Sequence, residues 1–166
     1  LNMAKRMVIT TLADKGRYGL TLVLGGGEVM LLEMTGAYAG YANHGIKNTP
    51  TGILEVREGD EVLEKYEQAA TRVVEQEVAR TLNDVLSDNV ARTPAFGEQS
   101  FLNFPDRQVA VKTGTTNDYR DAWIIGYTPS LVVGAWAGNN DNSPMEKKVA
   151  GFIIAPLWNA FLSELL

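Results

Sequence analysis

Residues 108–138 read QVAVKTGTTNDYRDAWIIGYTPSLVVGAWAG. From Gln108 to Thr115 the residues alternate as a strand does, with Val109 and Val111 on one face and Ala110 and Lys112 on the other. Ala122 to Tyr127 and Leu131 to Trp136 are apolar, aromatic and β-branched. Thr128-Pro129-Ser130 between them carries turn chemistry, so the two runs predict a hairpin. Three antiparallel strands are expected here, followed by a polar loop from Asn139 to Pro144.

Downstream, an apolar helix is expected from about Gly151 to Leu166, with Pro156 in its first turns or kinking it. Upstream, residues 90–107 hold Pro94 and Pro105 among polar residues and read as a loop. Val74, Val78, Leu82, Val85 and Leu86 fall on one helical face, and that helix ends near Ser87-Asp88-Asn89. Gly52 to Val56 and Val62 to Tyr66 read as strands joined by Arg57-Glu58-Gly59-Asp60. Gly25-Gly26-Gly27 is a break. Glu28 opens a helix with Leu31, Leu32, Thr35, Tyr38, Tyr41 and Ala42 at three-to-four spacing, and Gly45 is placed to cap it. Helices and a small hairpin, then three strands, then a terminal helix on the sheet make an α+β fold.

The chain has 166 residues, enough for one domain with a hydrophobic core. It is 45% hydrophobic and 21% charged, with a net charge of −5. Between Glu55 and Arg80 lie eight acidic and four basic residues, so most of the negative charge sits in one stretch, which reads as a solvated surface. An acidic chain repels phosphate backbones and argues against nucleic-acid binding. Cysteine is absent, which excludes disulfides, thiolate metal sites and cysteine nucleophiles. No run approaches the ~18 apolar residues of a membrane span. The first residue is Leu1, so the sequence reads as a piece cut from a longer protein; no signal peptide is seen, and if the parent is anchored or exported the segment responsible lies upstream.

Lys112-Thr113-Gly114-Thr115 closes the first of the three strands. Lysine puts a positive charge beside a site for a carboxylate. The threonines add short hydroxyls, and Gly114 lets a ligand approach the backbone. The strand edge can pair with an extended peptide. A bare Lys-Thr-Gly is common, but its surroundings are specific. The blocks Tyr18 to Val29, Ala37-Tyr38-Ala39, Ala42-Asn43, Arg92 to Gly97, Leu102 to Pro105, Asp121 to Pro129, Trp136 to Asp141 and Ala155 to Trp158 occur in one order. Through these blocks the chain resembles the class A penicillin-binding proteins, the peptidoglycan transpeptidases, over nearly its whole length.

That resemblance implies a partial transpeptidase domain over residues 1–166, the C-terminal half of a penicillin-binding fold. It implies a parent enzyme that cross-links stem peptides ending in D-Ala-D-Ala through an acyl-serine, binds β-lactams, and works on the outer face of the cytoplasmic membrane. It implies no cofactor and no metal. Lys112, Thr113, Gly114 and Thr115 would bind substrate, and the Thr115 N–H would be half of the oxyanion hole. Thr116, Asn117, Asp118 and Arg120 would form the rim of the cleft. The family also needs Ser-x-x-Lys and Ser-x-Asn. None of Ser87, Ser100, Ser130, Ser143 or Ser163 has a lysine three positions later. The nucleophile is therefore expected upstream of Leu1, and the chain alone is expected to be inactive. Two sheet strands and the serine-bearing helix would be missing with it, leaving an apolar face for the N-terminal half of the domain, another copy or a swapped element.

Ser87-Asp88-Asn89 spells the second element as class A β-lactamases write it. It lies close before Lys112, whereas the family places that element far upstream, so a helix end is the preferred reading. His44, the single histidine, reads as a solvated helix-end residue. Gly25-Gly26-Gly27 lacks the Gly-Lys-Ser/Thr of a phosphate loop. Asp118, Arg120 and Asp121 are expected to be salt-linked. Asn139 to Asn142 lacks calcium-loop spacing. Trp123, Trp136 and Trp158 are expected in the core beneath the sheet. A non-catalytic peptide-binding module and a β-lactamase-like hydrolase using Ser87 remain as alternatives.

Overall fold

The computed structural model describes residues 1–14 and 16–166. Its centre is an antiparallel sheet of three strands, β5 (Ala110–Thr115), β6 (Asp121–Tyr127) and β7 (Val132–Gly138), in that spatial order. Val111 pairs with Gly126, Thr115 with Ala122, Trp123 with Trp136 and Tyr127 with Val132. The turn after β6 closes on Thr128, whose N–H donates to the Leu131 carbonyl at 2.9 Å and whose Oγ1 accepts from the Leu131 N–H at 3.2 Å. The three strands and their hairpin are where the sequence pattern put them, within two residues at each end.

Before the sheet come α1 (Asn2–Arg6), a 3₁₀ turn at Leu20–Leu24 and α2 (Leu31–Ala42). Two short pairs follow: β1 (Ile46–Lys47) with β4 (Thr71–Arg72), and β2 (Glu55–Glu58) with β3 (Glu61–Lys65). Then come α3 (Gln76–Ser87) and α4 (Asn89–Phe96), and after β7 the chain ends in α5 (Ala150–Ile153) and α6 (Ala155–Leu165).

Each face of the sheet has its own core. On one, Val109, Val111, Ala122 and Ile124 pack with Leu102, Ala150, Ile154, Ala155, Trp158 and Leu162. Gly126 lies on this face, where a Cβ would strike the Trp158 ring, so its missing side chain makes room for that indole. The Trp158 Nε1–H donates to the Val133 carbonyl at 3.0 Å. On the other face Ala110 and Tyr127 pack with Ala42, Tyr38 and Tyr41. Gly134 is the matching notch, since a Cβ there would strike the Thr35 side chain of α2. A third cluster joins Met7, Ala37, Val73, Val74 and Ala79 beneath α2 and α3.

Several expected boundaries shift for identifiable reasons. The first long helix starts at Leu31, because Met30 is extended at φ −78° and ψ 139°. Gly45 caps it as expected, at φ +86°, with its N–H on the Gly40 carbonyl at 2.8 Å. The small hairpin turns around Gly59 at φ +61°, so Arg57 and Glu58 are paired and Gly52 to Leu54 lie outside the strand. Residues 89–96 form a helix instead of a loop. Asp88 caps it by accepting the Ala91 N–H at 2.9 Å, and Pro94 sits in its last turn, where its missing N–H leaves only the Val90 carbonyl without a helical donor. The inner face of α3 is Ala79 with Leu82, Asn83 and Leu86. Val78 and Val85 point to solvent. The terminal helix breaks at Ile154, which lets Pro156 occupy the first turn of α6. Only Trp158 of the three tryptophans is fully buried. Trp123 is half-buried and Trp136 is 41% exposed, because α2 covers the sheet only as far as Gly134.

Candidate functional site

β5 pairs only with β6, so among the described residues its other edge is free of any strand. The Thr116 N–H donates to the Asp121 carbonyl at 3.2 Å, which makes Thr116 and Asp121 a hydrogen-bonded pair of the ladder. Antiparallel pairs alternate between bonded and non-bonded. Counting back, Gly114 and Lys112 direct their peptide groups to β6. Thr115 and Thr113 turn theirs to the free edge. Lys112 hydrogen-bonds the outward Thr113 carbonyl through its Nζ, and its side chain is exposed, with no carboxylate paired to it among the described residues.

Strand alternation places Lys112 and Gly114 on the sheet face that carries α2, and Thr113 and Thr115 on the face that carries α5 and α6. The Thr115 Oγ1 accepts the Ala150 N–H at 2.9 Å. That hydroxyl thus satisfies an orphan donor at the start of α5 and is turned away from the edge. What Thr115 offers a ligand is its backbone N–H.

The residues after the strand form a tight turn. Thr116 donates through Oγ1 to Asp121 Oδ2 at 3.0 Å and accepts from the Asp121 N–H at 2.8 Å. The Trp136 Nε1–H donates to Asp121 Oδ1 at 2.9 Å. Asp118 and Tyr119 both stand in the left-handed region, at φ +61° and +56°. Two successive non-glycine residues there are uncommon and store backbone strain. The turn is held from outside. Met145 donates its N–H to the Tyr119 carbonyl at 2.9 Å, and Arg120 donates to the Asn142 carbonyl. Asp118, Arg120 and Asp121 are therefore not salt-linked among the described residues. Hydrogen bonds to Thr116, Trp136 and Asn142 do that work, because the turn directs Arg120 toward the 139–145 loop and Asp121 toward the indole.

Ser87 ends α3, donates to the Asp84 carbonyl at 3.3 Å and accepts from Gln108 Nε2 at 2.8 Å. It lies beside the start of β5, four residues or ~13 Å of strand from Lys112. His44 stands at φ +52°, with its carbonyl accepting from Arg72 at 3.0 Å. No group of His, Asp and Glu suited to a metal occurs among the described residues, and no helix is long and apolar enough to cross a membrane. The Asp121 and Trp136 contacts were hidden in the sequence. Their signal is the cross-strand register of Trp123 and Trp136 together with the Thr116–Asp121 turn.

Fold and site together define an α+β protein built on an antiparallel sheet whose free edge strand carries Lys-Thr-Gly. The chain belongs to the penicillin binding protein transpeptidase domain family, whose model matches residues 19–159. Penicillin-binding protein 1A of Aquifex aeolicus is 36% identical over 140 residues, which cover 83% of this chain and 19% of that protein. Penicillin-binding protein 4 of Bacillus subtilis is 30% identical over 132 residues, covering 78% and 20%. The chain thus spans about a fifth of the length of these relatives. Among solved structures, PonA1 of Mycobacterium tuberculosis matches with a TM-score of 0.76 at 23% identity, over 96% of this chain and 46% of that one. Penicillin-binding protein 1A of Haemophilus influenzae matches with 0.77 at 20% identity, over 98% and 30%. At such identities the likeness is one of fold. PonA1 has also been solved in complex with penicillin V.

Proposed function

We propose that this chain supplies one wall of a serine D,D-transpeptidase cleft that cross-links peptidoglycan on the outer face of the cytoplasmic membrane. The observation that carries the reading is the open edge of β5, where Thr113 and Thr115 turn their peptide groups outward beside an exposed Lys112. An extended stem peptide can pair with that edge. Lys112 then receives its terminal carboxylate, or the acid group of a β-lactam. The Thr115 N–H donates to the carbonyl oxygen under attack, where charge develops. Thr116, Asn117, Asp118 and Arg120 form the rim.

The nucleophile is a serine of a Ser-x-x-Lys element, which these 166 residues do not contain. It attacks the D-Ala-D-Ala carbonyl, an ester forms, and the terminal D-alanine leaves. The amine of a neighbouring stem peptide then attacks the ester and regenerates the serine. The segment that carries the serine is the partner of this chain.

Labelling with a fluorescent penicillin tests the reading. The chain alone stays unlabelled, and a mixture with the upstream segment labels that segment. Lys112→Ala lowers the rate in the mixture by about tenfold to hundredfold, since a hydrogen bond to a charged group contributes ~1.5–3 kcal/mol. Ser87→Ala leaves it unchanged. Labelling of the isolated chain, lost in Ser87→Ala, would replace this reading with that of a hydrolase using Ser87.

A further inference from the structure

We propose that Asp121 is a positioning residue, which with Trp136 and Thr116 fixes the direction of the Thr115 N–H. The inference rests on the transpeptidase reading for its catalytic meaning and on geometry alone for its structural one. Thr115 is the last residue of β5 and, among the described residues, has no strand on its outer side to hold it. Edge residues at strand ends fray unless something pins them. Here two fixings meet. Below the sheet, the Thr115 hydroxyl is anchored on the Ala150 N–H at 2.9 Å. Beyond it, Thr116 and Asp121 share three hydrogen bonds: Thr116 N to Asp121 O at 3.2 Å, Asp121 N to Thr116 Oγ1 at 2.8 Å, and Thr116 Oγ1 to Asp121 Oδ2 at 3.0 Å.

The carboxylate of Asp121 has one oxygen left, and the indole of Trp136 donates to it from β7 at 2.9 Å. One residue therefore ties the end of the edge strand across β6 to the third strand. A carboxylate suits the task, because it accepts from both sides at once and its bonds are charge-assisted. The exposure of Trp136 follows. Its ring sits at the end of the sheet that α2 leaves uncovered, and there its nitrogen reaches the carboxylate. The strained pair Asp118 and Tyr119 is what bends the chain tightly enough to bring Asp121 back to Thr116.

Neither Asp121 nor Trp136 needs to touch the substrate. Their effect is on the angle of one donor, and a small misplacement of such a group costs about a hundredfold in rate. Asp121→Ala, Thr116→Val and Trp136→Phe break the clamp at different bonds. In the penicillin-labelling mixture, Asp121→Ala and Thr116→Val lower the acylation rate constant at least tenfold. In Asp121→Ala the dissociation constant of the complex that precedes the covalent step stays within twofold, unlike Lys112→Ala, which raises it. Trp136→Phe gives a smaller loss in the same direction, and Asp121→Asn, which keeps an acceptor for the indole, recovers part of it. A role in stability alone would move rate and binding together.

The second arm uses the 166-residue chain by itself. Backbone ¹⁵N order parameters at Thr115 and Thr116 are expected near ~0.85 in the parent and below ~0.6 in Asp121→Ala. The Trp136 indole proton resonance moves upfield in the same variant. If the mixture never labels, the transpeptidase reading fails and this arm still decides the clamp. Unchanged order at Thr115 in both Asp121→Ala and Thr116→Val, or an unchanged acylation rate in a folded variant, overturns the proposal.

Discussion

Gly126 has the backbone of an ordinary strand residue, and its importance is spatial. A Cβ there would meet Trp158 Cη2 at 2.7 Å and the Ala110 carbonyl at 3.0 Å. Gly126→Ala must therefore displace the best-buried indole of the chain or part β5 from β6. The expected cost is ~1–3 kcal/mol, read as a lower urea midpoint at unchanged slope. Tyr127, one residue on, faces the opposite core and donates to Asn83 Oδ1 at 2.8 Å. Burial first, then the neighbouring Tyr38 and Tyr41, pushes its phenol well above the usual tyrosine range. Burial raises Tyr38 and Tyr41 as well. A raised tyrosine keeps its proton in the folded chain after the unfolded chain has lost it. These groups therefore contribute fully below pH ~10, and stability falls as pH rises beyond it. Denaturation measured across alkaline pH should show this fall, and Tyr127→Phe should shallow it.

Among the elements, α4 shows how a helix can hide. Two prolines and a polar composition make residues 90–107 read as loop, yet one side chain, Asp88, turns eight residues into a helix by holding the Ala91 N–H. Asp88→Ala should cost ~1 kcal/mol and lower the helical circular dichroism signal along with the urea midpoint. The central strands were legible because both of their faces are packed, so alternation and β-branching survive in Gln108 to Trp136. Their position in the sheet was not. No residue of Lys112 to Thr115 says whether β5 is central or at an edge, since that depends on which other strands are present. The fate of Trp136 was hidden for a related reason. Alternation sets its face, but its exposure depends on where α2 begins, and α2 is only 12 residues, ~18 Å, long. The motif itself could be read directly, as could the α+β class. The turn that braces it is a matter of register between strands.

Over the whole molecule, the described residues divide into a well-packed sheet with helices on both faces and a periphery that packs much less. Leu20 is 92% exposed, Val23 and Leu24 are 89% exposed, and β3 is exposed along its entire length. Phe152, Leu157, Phe161 and Leu165 lie open along α5 and α6. So much exposed apolar surface favours association. Sedimentation of the purified chain is expected to show concentration-dependent self-association, and the proposed serine-bearing segment should reduce it to a one-to-one complex. A chain that stays monomeric and resists unfolding by itself would argue against the split-domain reading.

The bond between Thr115 and Ala150 ties two distant stretches of sequence into one mechanical part. The segment from Ala150 onward packs on the sheet face opposite Lys112, yet its first helical N–H donates to the hydroxyl of Thr115, whose amide turns to the free edge of β5. A fusion partner pulling on Leu166, or a deletion reaching back to Ala150, is thus transmitted to the edge strand as tension or slack. In a scan of truncations for penicillin labelling, the boundary of tolerance should fall in the tail, far along the chain from the lysine that defines the motif.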